Sequence, residues 1–184
     1  SHAFKEYAKS SESSLRNLLS ISDEYSILFL QGGATHQFAL IPMNFSNNGV
    51  LDYLVTGAWS KKASEYANKV ANVNIVSDSS SNNFTNIDDP KKWNISDDPD
   101  YFFYCANETV HGLELHNPIE SDSPVICDMS STIASRPIDI NKYDLVFAGA
   151  QKNLGIAGLT ILIIKNKLLS DCNKELLPMF DYSA

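Results

Sequence analysis

Lys152, Asp128 and the Gly32-Gly33 pair are the positions where residue type and spacing suggest chemistry. The string Gln31-Gly32-Gly33-Ala34-Thr35 follows a short β-favouring run and opens a helical pattern. Glycines there let the backbone approach a phosphate, and the free amides of a helix start favour an anion. Many strand-to-helix turns contain Gly-Gly, so alone this string also reads as an ordinary turn. Asp128 closes the run at 124–127 and precedes Met129-Ser130-Ser131-Thr132. Taken singly it reads first as a helix cap. Lys152 follows Ala148-Gly149-Ala150-Gln151 at the end of another apolar run. Lysines ordinarily sit on solvated faces, and a surface lysine is the plain alternative.

The three signals gain weight together. In an open α/β sheet, ligands bind at the carboxyl ends of the strands, and all three signals fall just after strand-like runs. An anion cradle, a carboxylate and a lysine are what pyridoxal 5′-phosphate (PLP) chemistry requires. The amine attaches the cofactor aldehyde, the carboxylate keeps the pyridine nitrogen protonated, and the cradle holds the phosphate.

The elements that must position these groups follow from periodicity. Phe4, Tyr7, Ala8, Leu15, Leu18 and Leu19 recur at helical spacing, which predicts an amphipathic helix over 3–19. A strand over 25–30, a helix over 34–45 interrupted by Pro42, a strand over 50–55, a helix over 60–71 and a strand near 73–76 come next. This rhythm implies an α/β fold with a mainly parallel mixed sheet flanked by helices. Residues 77–100, rich in Ser, Asn and Asp, read as a long surface excursion. Further strands are expected at 101–105, 124–127, 144–147 and 159–165. No internal repeat or linker divides the chain.

Composition narrows the function classes. The 184 residues carry a net charge of −8, with 43% apolar and 20% charged residues. That balance argues against a nucleic-acid surface, which needs clustered Lys and Arg. No apolar run is long enough to span a bilayer, so no membrane partner is expected. The amino terminus shows no secretory signal pattern, and Cys105, Cys127 and Cys172 have no metal-like spacing. Reduced thiols in a cytoplasmic protein are the expectation, with Cys105 and Cys127 buried and inert in apolar strand-like runs.

At residues 128–169 the string DMSSTIASRPIDINKYDLVFAGAQKNLGIAGLTILIIKNKLL resembles the lysine-bearing segment of the phosphoserine aminotransferases, a class-V, fold-type-I PLP family. Three further blocks match in order and spacing: FLQGGATHQFALIPMN at 29–44, TGAWSKKA at 56–63 and YCANETVHG at 104–112. The resemblance implies that residues 1–184 form a PLP-binding large domain, incomplete for want of the family's N-terminal segment and C-terminal small domain. It implies Lys152 as the cofactor-bearing lysine and Asp128 as the partner of the pyridine nitrogen. Thr109 would donate to the cofactor's phenolic oxygen, Trp59 would stack on its ring, and Ala34, Thr35 and Gln151 would bind its phosphate. Asn107 and Glu108 would shape the loop before Thr109. His111 reads as a solvated loop residue before a general base, and Arg136 as one half of a buried ion pair before a ligand of the substrate carboxylate.

The implied reaction moves an amino group from L-glutamate to 3-phosphooxypyruvate, giving O-phospho-L-serine and 2-oxoglutarate, in a cytoplasmic homodimer. Ser1-His2 resembles part of a family Ser-His-Arg string, but Ala3 stands where the arginine would be. Thr35 stands where some members have a substrate-phosphate arginine. A non-catalytic large-domain fragment and a related small-substrate PLP aminotransferase are the alternatives. A dinucleotide-binding protein lacks its Gly-x-Gly-x-x-Gly string here.

Overall fold

The computed structural model describes residues 2–47 and 49–184, so Ser1 of the Ser1-His2 pair lies outside the described residues. Helix α1 (His2–Leu19) leads into strand β1 (Tyr25–Gln31), helix α2 (Gly33–Phe45) and strand β2 (Val50–Val55). Helix α3 (Ala58–Ala67), strand β3 (Asn72–Asp78) and strand β4 (Pro99–Cys105) follow. A small hairpin of β5 (Asn107–Glu108) and β6 (Leu113–Glu114) precedes β7 (Val125–Asp128), β8 (Leu145–Gly149), β9 (Leu159–Lys165) and the short helix α4 (Asn166–Ser170).

The main sheet has seven strands in the order β1-β9-β8-β7-β4-β2-β3. Strands β3, β2, β4, β7 and β8 pair in parallel, whereas β9 is antiparallel to both β8 and β1. Strand β1 therefore points the same way as β8, and β9 alone is reversed. The carboxyl ends of β1, β2, β4, β7 and β8 consequently share one edge.

Alternation along the strands sends successive side chains to opposite faces and divides the core in two. Phe102 and Tyr104 join Leu54, Cys127, Val146 and Ile163 on the face that α1 covers through Leu19. Tyr101 and Phe103 join Phe38, Ile41, Leu51, Ile126, Phe147 and Leu162 on the face covered by α2 and α3. Phe38 sits edge-on to both Phe103 and Phe147, at ring-centroid distances of 6.3 and 6.2 Å. That contact fixes the start of α2 over the middle of the sheet.

The strand positions follow the sequence expectations closely, and the differences have local causes. Helix α2 is not interrupted at Pro42 but runs through it to Phe45. A proline in the last turn removes one amide bond, and its own carbonyl still accepts from Ser46 N–H at 3.0 Å. Helix α3 ends at Ala67 rather than at residue 71, because 68–71 fold into a turn closed by Ala71 N–H on the Ala67 carbonyl. The excursion at 77–100 contains two short 3-10 helices, Ser79–Asn82 and Pro90–Lys92. It is tied down by buried Asp52, which accepts from Ser96 N–H and the Ser96 hydroxyl at 3.0 and 2.7 Å. No helix follows Asp128, so it is not a helix cap.

Candidate active site

The turn Gln31-Gly32-Gly33 must reverse the chain from β1 into α2. Gly32 and Gly33 take φ values of 99° and 69°, the left-handed region that glycine enters without penalty. Gly32 occupies the N-cap and offers no side chain to the helix start, so no side chain caps the first amides of α2. Those amides, at Ala34 and Thr35, border a cavity of about 150 Å³ at the shared carboxyl edge.

Across the cavity stands Asp128, the last residue of β7 and only 5% exposed. Its Oδ1 accepts from Ser130 N–H at 2.8 Å and from the Ser130 hydroxyl at 2.6 Å. Among the described residues nothing bonds Oδ2. Burial pushes the Asp128 carboxyl above the usual carboxylate range, against the pull of the Ser130 bonds and the nearby Lys152 charge. A cationic N–H donor at Oδ2 would restore the charged form.

Lys152 lies in the turn directly after β8. Leu154 and Gly155 N–H both close onto the Ala150 carbonyl, and Asn153 Nδ2 donates to the Ile133 carbonyl at 2.9 Å. The second bond ties the lysine turn to the loop that follows Asp128. The Lys152 amine sits 6.0 Å from the centroid of the Trp59 ring. Trp59 comes from the first turn of α3, and its indole Nε1 donates to the Thr109 hydroxyl at 3.2 Å.

The structure thus gathers Ala34, Thr35, Trp59, Asp128, Gln151 and Lys152 around one cavity. Thr109 is outside the lining, and its hydroxyl accepts from the Trp59 indole N–H. Phe38, Cys105, Asn107, Ser130 and Ser131 also line the cavity and were not singled out for it from sequence. Ser130 could have been found, because Asp-x-Ser after a strand is a common side-chain-to-backbone turn. Cys105 could not, since its role depends on β4 lying beside β7. Burial holds the Cys105 thiol well above its usual range, so it stays protonated and inert. All three cysteines are free and buried.

His111 and Arg136 lie outside the cavity lining. His111 is exposed and packs against Phe84 at a ring distance of 4.4 Å. Arg136 pairs with Glu114, at 33% and 27% side-chain exposure, so the ion pair is half-buried rather than buried. Among the described residues no cluster of His, Cys, Asp and Glu could hold a metal ion.

The cavity offers uncapped amides on one side, a carboxylate with a spare oxygen on another, and an amine beside an aromatic face. Residues 1–178 match the family described as Aminotransferase class-V. The chain belongs to the class-V aminotransferase family. A Dictyostelium discoideum protein called "Probable phosphoserine aminotransferase" is 46% identical over 192 residues, covering 99% of this chain and 51% of that relative. The "Phosphoserine aminotransferase" of Xylella fastidiosa is 44% identical over 98% of this chain and 51% of its own. Among solved structures, phosphoserine aminotransferase from Bacillus circulans subsp. alkalophilus superposes with a TM-score of 0.93 at 35% identity, over 99% of this chain and 51% of that one. A PLP-bound phosphoserine aminotransferase from Trichomonas vaginalis gives 0.91 at 36% identity, over 99% of this chain and 55% of that one. The sheet with its flanking helices is the large-domain fold of these fold-type-I enzymes. The chain spans about half the length of the curated relatives it matches.

Proposed function

We propose that residues 1–184 are the PLP-binding large domain of a phosphoserine aminotransferase. The enzyme transfers an amino group from L-glutamate to 3-phosphooxypyruvate, giving O-phospho-L-serine and 2-oxoglutarate. The observation that carries this reading is the convergence of Lys152, Asp128 and the uncapped start of α2 on one cavity.

The residues present fit the cofactor. The amides of Ala34 and Thr35, with Gln151, would take its phosphate, where the helix dipole favours negative charge. The unbonded Oδ2 of Asp128 would accept the pyridine N–H, Trp59 would lie against the ring face, and Thr109 would donate to the phenolic oxygen. When bound, PLP supplies an aldehyde that captures an amino group and a ring that withdraws electrons from the adjacent carbon. Asp128 would hold the ring nitrogen protonated. Lys152 Nζ would anchor the cofactor and, once free, take the α-proton of the amino donor. Because donor and acceptor would use the same amine in turn, the kinetics would be ping-pong. A cytoplasmic homodimer is part of the same reading.

The test is an assay of the complete reading frame with L-glutamate and 3-phosphooxypyruvate, with Lys152→Ala as background. Formation of O-phospho-L-serine supports the proposal. A protein that binds PLP and aminates only other small oxo-acids would make it a related aminotransferase instead.

A further inference from the structure

Glu108 is fully buried, and beyond a part in shaping the loop before Thr109 no role above uses its carboxylate. Its carboxylate makes three hydrogen bonds, all to the first turn of α3. Oε2 accepts from Trp59 N–H at 2.8 Å, and Oε1 accepts from Ser60 N–H at 2.7 Å and from the Ser60 hydroxyl at 2.6 Å. The N-cap of α3 is Gly57, which has no side chain to offer. The amides that Glu108 satisfies are the ones an N-cap Asp or Ser would otherwise take. A residue far along the chain therefore caps this helix. Gly57 leaves room for it, because a Cβ there would come within 2.5 Å of the Glu108 Cγ and Cδ. The Gly57 backbone is extended, so the glycine serves space rather than conformation.

A buried cap could be a staple of the fold and nothing more. Its attachments point further. One of the amides it holds is that of Trp59 itself, and the residue after it is Thr109, whose hydroxyl accepts the Trp59 indole N–H. Glu108 and Thr109 thus grip Trp59 at the main chain and at the ring. The gripped ring is the one that faces the Lys152 amine across 6.0 Å.

We infer that Glu108 is a positioning residue for the Trp59–Thr109 pair. It sets the plane of the indole against which the cofactor ring would stack, and the place of the Thr109 hydroxyl beside it. Glu108 acts through Trp59 and does not itself line the cavity. The inference rests on the reading of this cavity as a PLP site.

Glu108→Gln tests it, because the amide nitrogen cannot accept and one of the two main-chain amides loses its partner. The complete reading frame is labelled with 5-fluorotryptophan, and the Trp59 fluorine signal is identified by its loss in Trp59→Phe. Glu108→Gln should keep the far-ultraviolet circular dichroism of the parent while shifting or broadening the Trp59 signal. The PLP dissociation constant, read by absorbance titration, should rise about tenfold in the Trp59 protein. It should rise less than about twofold in the Trp59→Phe background, since coupled residues are non-additive.

An equal loss in both backgrounds, or an unmoved Trp59 signal, reduces Glu108 to a fold staple and overturns the inference alone. A parent that binds no PLP overturns the cavity reading, and the inference with it. Should Glu108→Gln not fold, Glu108→Asp keeps the charge but shortens the reach, and the same titration in both backgrounds decides.

Discussion

The Ser130 hydroxyl donates to Asp128 Oδ1 at 2.6 Å and accepts from Gly149 N–H at 3.0 Å. One small side chain thus links the carboxylate at the end of β7 to the end of β8, the strand that leads to Lys152. Both Ser130 bonds to Asp128 favour its charged form, against the burial that opposes it.

Ser130→Ala should therefore raise the Asp128 pKa further and weaken PLP binding. A hydrogen bond to a charged group contributes about 1.5–3 kcal/mol, so a loss of about tenfold or more in affinity is expected. The buried Gly149 amide would also lose its partner, costing about 1–3 kcal/mol of stability. Absorbance titration and urea midpoints measure the two effects separately. Unchanged PLP affinity would show that Asp128 does not meet the cofactor.

Asp128→Asn separates stability from function. The folded carboxyl titrates above its unfolded value because of burial. Below the unfolded pKa the carboxyl is neutral in both states and carries no penalty. As pH rises through the unfolded and then the folded pKa, the native state must hold a desolvated charge and loses stability. The neutral amide escapes this, so the cofactor-free variant should be more stable than the parent at pH 8, with the gap closing towards pH 4. Turnover should fall on the order of 10²–10³-fold, as expected when a group that stabilises developing charge is removed. Urea midpoints across pH and an amino-transfer assay check the two halves. A variant less stable at every pH, or one with near-normal turnover, would contradict this account.

Much of the candidate site is legible in the sequence because its residues follow strands directly. Lys152 and Asp128 stand out as polar residues closing apolar runs, and the left-handed Gly32-Gly33 turn needs glycine for its backbone. What stayed hidden was set by contacts distant in sequence. Nothing near Glu108 announces that it caps a helix starting at Ala58, and nothing near Ser130 shows that Gly149 will lie against it. The reversal of β9 and the edge position of β1 are likewise matters of strand pairing, which alternation along one strand does not encode. The apolar spacing carries the expected helix on to residue 71 because Val70 and Ala71 keep it while the chain is already turning into β3.

Attachment of the cofactor gives a direct prediction. Borohydride added to the PLP-treated protein should fix the label on Lys152, found by peptide mapping. The competing lysines have other surroundings. Lys165 is paired with Asp144 at 2.9 Å, and Lys62 lies over the Tyr66 ring at 5.6 Å. Label on Lys61, Lys62 or Lys165 in place of Lys152 would remove the central residue of the proposed site.

Assayed by itself, the 184-residue chain should give no measurable amino transfer, even with Lys152 and Asp128 in place. Among the described residues that line the cavity, Lys152 is the single cation, and in the proposed function its amine is committed to the chemistry. A substrate carrying a phosphate and a carboxylate needs further cationic partners to hold its α-carbon towards that amine. Correct orientation supplies as much as about 7–11 kcal/mol of the barrier, and most of that would be forfeited. Thr35, in the cavity lining, offers a hydroxyl where an arginine would offer charge. The measurement is a coupled assay with L-glutamate and 3-phosphooxypyruvate on the purified chain, run beside the complete reading frame and Lys152→Ala. Turnover within about tenfold of the complete protein would mean that these residues orient the substrate unaided, because so small a loss corresponds to only about 1.4 kcal/mol.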